Sequence, residues 1–276
     1  MLRHWMVTLV LLALCSACAP NARLAKLDPK SVEYKYEAAL IALEEGLFPE
    51  AIKGFSEVKS KHPYTAFARL ADLRISDVYF EQGKYDDAIG SYRRFLKYNP
   101  GHPEVPYALY QIGQAYYERL PQDWWFLPPA REKDQARVHQ AIEAFRTLVS
   151  RYPQNDIAKK AAEHISQCRK RLAEHEMYVA DFYFQRERFK ASAKRAEGIL
   201  QNYAGLGLDA QALWITGQSR FEIGEFELAS LALDRLIKEF PAADEVAPAT
   251  KILEKIANQQ AVQAEPVQTN DATSAE

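Results

Sequence analysis

The chain has 276 residues, of which 48% are hydrophobic and 26% charged, with a formal net charge of −2. That balance is ordinary for a globular protein large enough for a sizeable core or for an extended array of small units, and nothing in it points to a nucleic-acid binder held by counterion release. Glycine is scarce at 11 residues, and stretches rich in Ala, Leu, Glu, Lys and Arg favour helix over sheet. Basic runs such as Lys159-Lys160 and Arg169-Lys170-Arg171 sit among glutamates and alanines and read as solvated helix faces.

Residues 1–17 form a separate segment. Arg3 and His4 make a short basic start, and Trp5 to Leu14 is apolar except for Thr8. That run is too short to span a bilayer, so the segment reads as a signal peptide. Small Ser16 and Ala17 precede Cys18, which stands where the mature chain would begin. The arrangement resembles the bacterial lipobox, which implies a diacylglyceryl group on the thiol and an acyl chain on the amine. Cys15 competes for this role, but bulky Leu14 precedes it where the lipobox wants a small residue. The pattern favours Cys18; cleavage nearby without lipidation, leaving a soluble periplasmic protein, stays open. Three acyl chains would make the anchoring effectively permanent. Residues 18–30 are expected to be a lipidated tether. Cys168 is then the only free thiol, so packing rather than a disulfide framework must hold the fold.

The next segment, residues 31–257, is periodic. The stretches EEGLFPEAIKGFSEVKSKHP and FEQGKYDDAIGSYRRFLKYNP align without a gap. Gly46, Phe48, Ala51, Ile52, Phe55 and Pro63 match Gly83, Tyr85, Ala88, Ile89, Tyr92 and Pro100, each 37 residues on. FEIGEFELASLALDRLIKEFP repeats the phrase with Gly224, Phe226, Ala229, Leu233 and Pro241. Another copy carries Phe189, Ser192, Ala196 and Ile199 but lacks the turn Gly and the closing Pro. The remaining copy is split, with Gly113 and Tyr116 before, and Ala141, Phe145, Leu148 and Pro153 after, an insertion at about residues 119–137.

The pattern resembles the tetratricopeptide repeat in five copies. The expected fold is all-α: a right-handed superhelical stack of five helix pairs, closed by a C-terminal capping helix from about Val246 to Ala257. Small residues at Ala39, Ser76, Gly113, Ala180 and Gly217 would let each first helix approach its second. Proline ends the second helix, because it lacks an N–H and disfavours helix in the residue before it. Residues 258–276 have low hydrophobicity and no aromatics, and are expected to be disordered.

In the insertion, Trp124-Trp125-Phe126-Leu127 needs cover. A loop folded back on its own repeat and a partner or membrane-interface contact both satisfy it. No phosphate loop, nucleophile elbow or zinc-protease helix occurs, and no cofactor is implied. His164, Cys168 and His175 share a helix face, but the outer two lie roughly 16 Å apart along the axis and cannot share one ion. Ile165, Cys168, Leu172 and Val179 instead trace an apolar stripe.

Repeat arrays bind on the concave face, lined by the first helices. In the first three copies the candidates for binding a substrate peptide are Tyr36, Leu40 and Leu43, then Leu73, Asp77 and Phe80, then Tyr107, Tyr110, Gln114 and Tyr117. Repeats that hold chaperone carboxylate tails use Lys and Asn where Tyr36 and Leu40 stand, so an apolar, aromatic-bearing peptide suits this surface better.

The lipoprotein signal, the five repeats, the insertion in the third, and the phrases EHEMYVADFYFQRERFKASAKRAEGIL and DQARVHQAIEAFRTLVSRYP resemble the BamD family of the β-barrel assembly machinery. The resemblance covers roughly residues 33–242. It implies a non-catalytic scaffold, lipid-anchored to the periplasmic face of the outer membrane. It also implies N-terminal repeats that receive unfolded outer-membrane β-barrel proteins and C-terminal repeats that dock on the POTRA domains of BamA. On that reading Arg195 and Glu197 are candidate contacts to BamA. The Trp-rich insertion and the end of the chain fall outside it and could serve other Bam lipoproteins. Another repeat lipoprotein, such as a pilotin that assists secretin assembly, is the alternative.

Overall fold

The computed structural model describes residues 22–121 and 129–264. The signal segment with Cys15 and Cys18, the Trp124-Trp125-Phe126-Leu127 run, and the end of the tail lie outside the described residues. Within them are eleven α-helices and no strand. In order these are α1 (Val32–Glu44), α2 (Phe48–Lys61), α3 (Ala66–Glu81), α4 (Tyr85–Tyr98), α5 (Val105–Glu118), α6 (Ala136–Arg151), α7 (Asp156–Gln185), α8 (Phe189–Asn202), α9 (Asp209–Glu222), α10 (Phe226–Glu239) and α11 (Val246–Ala264). None is long and apolar enough to cross a membrane. The helices divide between two compact units. One holds the described residues up to Arg119 with Glu143–Ala161, and the other holds Leu120–Ile142 with Ala162 onward.

Helix ends follow local chemistry. Ser31 and Thr65 cap α1 and α3 by accepting the N–H groups of Tyr34 and Ala68. Pro49 and Pro106 sit in the first turns of α2 and α5, where a missing N–H breaks no intrahelical bond. The tight turns of the first, second and fifth copies pivot on Gly46, Gly83 and Gly224 at φ 74°, 70° and 77°. At each, the glycine N–H and the next N–H return to carbonyls of the preceding turn, as in Gly46 to Leu43 and Leu47 to Ala42. The fourth copy keeps this hydrogen-bond pattern with Glu187, at φ 58°, in the glycine's place. An aromatic pair also straddles three of these turns. Phe80–Tyr85, Phe184–Phe189 and Phe221–Phe226 have centroids 5.4, 5.2 and 5.8 Å apart.

The small residues act as the periodicity requires. A Cβ added to Gly54 would stand 2.7 Å from that of Ala39. Ser76 donates to Ser91 at 2.8 Å, and Ser192 donates to the Ala180 carbonyl at 2.9 Å. A Cβ on Gly113 would overlap the Phe145 ring, and one on Gly217 would overlap Leu233. All five copies therefore close at the same register.

No copy completes its own core. Ala39 and Phe55 of the first share a cluster with Ala71, Ile75 and Val78 of the second, and Tyr92 and Phe95 of the second share one with Ala108 and Ile112 of the third. In the other unit Met177 and Ile199 pack with Ala212 and Ile215, and Leu233 and Leu236 pack with Ile252 and Ile256 of α11. Each fully buried large side chain contributes roughly 1.5–3 kcal/mol, so stability accumulates between neighbours.

Two segment boundaries change. The expected tether folds back in part, because Arg23 donates to both carboxylate oxygens of Glu44 at 3.1 and 2.6 Å. The tail expected to be disordered from residue 258 stays helical to Ala264. Gln259, Gln260, Ala261 and Gln263 are helix formers, and no proline intervenes before Pro266.

Candidate functional site

The candidates on α1, α3 and α5 fall into columns spaced by the repeat, and the columns differ in burial. Tyr36, Leu73 and Tyr110 form one column, three residues before Ala39, Ser76 and Gly113 and so on the face that meets the second helix. Tyr36 is 6% exposed and packs against Phe55 and Phe67, with centroids 5.6 and 5.4 Å away. Leu73 is fully buried, and Tyr110 leans on Phe145 at 5.8 Å. The expectation that Tyr36 and Leu73 contact a peptide is corrected: both are packing residues that a ligand could reach only by separating helices. Phe80 is half-buried and committed to its turn partner Tyr85, as Phe184 and Phe221 are to theirs.

A second column holds Leu40, Asp77 and Gln114, where chemistry varies from copy to copy. Leu40 is half-buried. Gln114 is half-buried too, and its Oε1 has no hydrogen-bond partner among the described residues. Tyr107 and Tyr117 flank it, also half-buried.

Asp77 does something the sequence did not announce. Its Oδ1 accepts from the hydroxyls of Tyr92 at 2.5 Å and Tyr107 at 3.0 Å, and its Oδ2 accepts from Arg74 at 2.6 Å. Arg74 also donates through Nε to the Tyr36 hydroxyl at 3.3 Å and lies over the Tyr107 ring at 5.4 Å. Gln111 donates to the Tyr107 hydroxyl. The network joins α1, α3, α4 and α5, and so ties three consecutive copies together. Burial pushes the Asp77 carboxyl above the usual range, against the pull of Arg74 and of hydrogen bonds from Tyr92, Arg74 and Tyr107. Every one of those neighbours donates, so the geometry serves the ionised carboxylate. Burial opposes the Arg74 charge, but Asp77 and the Tyr36 hydroxyl outweigh it and raise the guanidinium's pKa. Burial likewise raises the Tyr92 and Tyr107 phenols, and Asp77 adds to it. Asp77 is thus an internal strut, not the ligand contact expected of it. Arg74 three residues before Asp77 on an apolar helix was the available signal.

In the second unit, Arg195 and Glu197 on α8 turn to different helices. Arg195 Nη1 donates to both carboxylate oxygens of Glu176 on α7, at 3.2 and 2.9 Å, and the side chain is 46% exposed. Glu197 accepts from Arg220 Nε and Nη2 of α9 at 3.0 and 2.6 Å. Arg220 also pairs with Glu225 and is 16% exposed. Glu197 therefore joins α8 to α9, whereas Arg195 faces outward at the edge of a groove.

Cys168 is buried with Leu172, and Ile165 and Val179 are half-buried beside them. His175 Nδ1 meets the Arg131 carbonyl at 2.5 Å. Among the described residues no group of three His, Cys, Asp or Glu side chains is placed to hold a metal ion.

Helix pairs closing at one register, with varied side chains on the first helices and an outward arginine on a later one, define a helical-repeat protein built to present surfaces. The family described as YfiO, outer membrane lipoprotein, matches residues 29–233, from just before α1 into α10. The chain belongs to this family, that of the outer membrane protein assembly factor BamD. It is 28% identical over 222 residues to BamD of Xylella fastidiosa strain 9a5c, covering 79% of this chain and 76% of that one. It is 28% identical over 238 residues to BamD of Neisseria meningitidis serogroup A, covering 82% and 87%. Among solved structures it is similar to the TPR2AB domain of yeast Sti1 in its pHSP90 complex, with 13% identity, a TM-score of 0.44, and 84% and 86% of the two chains covered.

Proposed function

We propose that the protein is a non-catalytic scaffold of the outer membrane assembly machinery, held by lipid on Cys18 at the periplasmic face. In this reading the first unit receives segments of unfolded outer-membrane β-barrel proteins, and the second docks on the POTRA domains of BamA. The observation that carries it is the family match, which runs from the first copy into the fifth. The surface chemistry supports it. Leu40, Gln114, Tyr107 and Tyr117 are half-buried and offer a partly apolar, aromatic lining. Arg195 is an outward cation on α8 whose guanidinium suits a carboxylate of BamA, while Glu197 supports it from within the unit by fixing α8 to α9.

Affinity purification from detergent-solubilised envelope tests the proposal. A BamA homologue should accompany the chain, and depleting the chain should lower outer-membrane protein levels. Recovery of a secretin without BamA would replace this reading with a pilotin role. Replacing Leu40 and Tyr117 together with Ala should weaken binding of peptides ending in an aromatic residue and leave BamA binding unchanged. Unaltered peptide affinity in the folded variant would remove that surface from the proposal.

A further inference from the structure

The groove beside Arg195 lies within the second unit, between α7 and α8, and encloses about 560 Å³ lined by Glu176, Tyr183, Lys194, Arg195, Asn202 and Tyr203. A second depression of about 480 Å³ shares Glu176 and Tyr203 with it and continues toward Asp134 and His139. The two depressions thus adjoin at Glu176 and Tyr203, with Lys194 and Arg195 lining the first and Lys133 the second.

Arg195 on α8 and Arg220, which pairs with Glu197 of the same helix, are not equally committed. Arg220 spends Nε and Nη2 on Glu197 and Nη1 on Glu225. Among the described residues Arg195 is held by Glu176 through Nη1 alone. The edge formed by Nε and Nη2, which gives arginine its paired grip on a carboxylate, takes no part in that contact. Glu176 is 26% exposed and lines the same groove, so a carboxylate arriving at Arg195 meets a second carboxylate already on that guanidinium. In a partly desolvated groove the two repel.

We infer that Glu176 is a resident competitor that occupies Arg195 in the free chain and must yield when a protein segment presenting a carboxylate enters the groove. The inference rests on the docking role proposed for Arg195 and adds the control of that site. While Glu176 is seated, the pair is neutral. Docking exchanges a single-nitrogen contact for a paired one, and Lys194 favours the incoming charge.

The test uses the full chain and the purified POTRA domains of BamA, with affinities measured at low and at high salt. Glu176→Gln keeps the shape and removes the competing charge, and should tighten binding about 2–5-fold, the worth of one partly exposed ion pair. Arg195→Ala should weaken binding on the order of tenfold. In the Arg195→Ala background, Glu176→Gln should change nothing. An equal gain in that background would mean general repulsion of acidic partners and overturn the inference. Unchanged or weaker binding of Glu176→Gln, with Arg195→Ala still damaging, would overturn the competition and leave the docking role standing. If Arg195→Ala itself binds normally, both fail. Thermal unfolding midpoints equal to the parent's show that each variant is folded.

Discussion

Gly113 on α5 lies against the Phe145 ring of α6 with no room for a Cβ between them, although the insertion separates the two helices in sequence. The third copy is thereby closed at the register of the others. Phe145 is fully buried and cannot swing away, so Gly113→Ala should destabilise the protein by about 1–3 kcal/mol, outweighing alanine's better helix propensity. Gly90 in α4 is the control, because an added Cβ there meets nothing within 4 Å. Gly90→Ala should stabilise by about 0.5–1 kcal/mol. Urea denaturation midpoints decide it, and the same sign of shift at both glycines would refute the close-approach account.

Glu187 takes the left-handed conformation that three other turns give to glycine. A side chain there costs roughly 1–2 kcal/mol, part of which glycine forfeits through its larger unfolded-state entropy. Glu187→Gly should therefore raise stability by about 0.5–1 kcal/mol without altering the fold. A midpoint that falls would show that the Glu187 side chain contributes more than its strain.

The Asp77 network should behave as a unit. Asp77→Ala removes the shared acceptor of Tyr92, Tyr107 and Arg74 and leaves a guanidinium charge 22% exposed without its counter-ion. The loss should be about 3–5 kcal/mol. Adding Arg74→Met removes that charge and should recover a substantial part. Losses that simply add would mean that the two residues act separately.

Helix pairing, the closing small residues and the interrupted third copy were legible because repetition exposes them: a residue recurring every 37 positions has one structural role in each copy. The same repetition could have warned that Tyr36, Leu73 and Tyr110 are packing residues, since each stands three before a small closing residue. Arg74 at i−3 hinted at an ion pair for Asp77, but its Tyr92 and Tyr107 partners were not legible, because they come from two other helices and no local spacing brings them to one carboxylate. Glu176 was not legible as the partner of Arg195 for the same reason: the pair crosses from α7 to α8. Long-range polar pairs depend on the completed fold, whereas apolar periodicity is written in each helix.

Cys168 gives a measure of how tightly α7 is held. It is 1% exposed, and burial pushes its thiol up to about 11, with Arg171 pulling slightly the other way. The thiolate is the reactive form, so at pH 8 both access and ionisation protect the native residue. Peptide-resolved mass spectrometry after iodoacetamide treatment should find Cys168 unmodified in native protein and fully alkylated in denaturant. Exposed thiols have their ordinary pKa near 8.5, so free cysteine added to the same tube serves as the internal clock. Because the surrounding stripe of Ile165 and Leu172 lies in the second unit, opening of that unit should be the route to modification. Glu187→Gly, which stabilises the α7–α8 turn, should then slow alkylation in mild urea, while Gly90→Ala in the first unit should leave it unchanged. Rapid native alkylation would show that α7 opens far more readily than its packing implies.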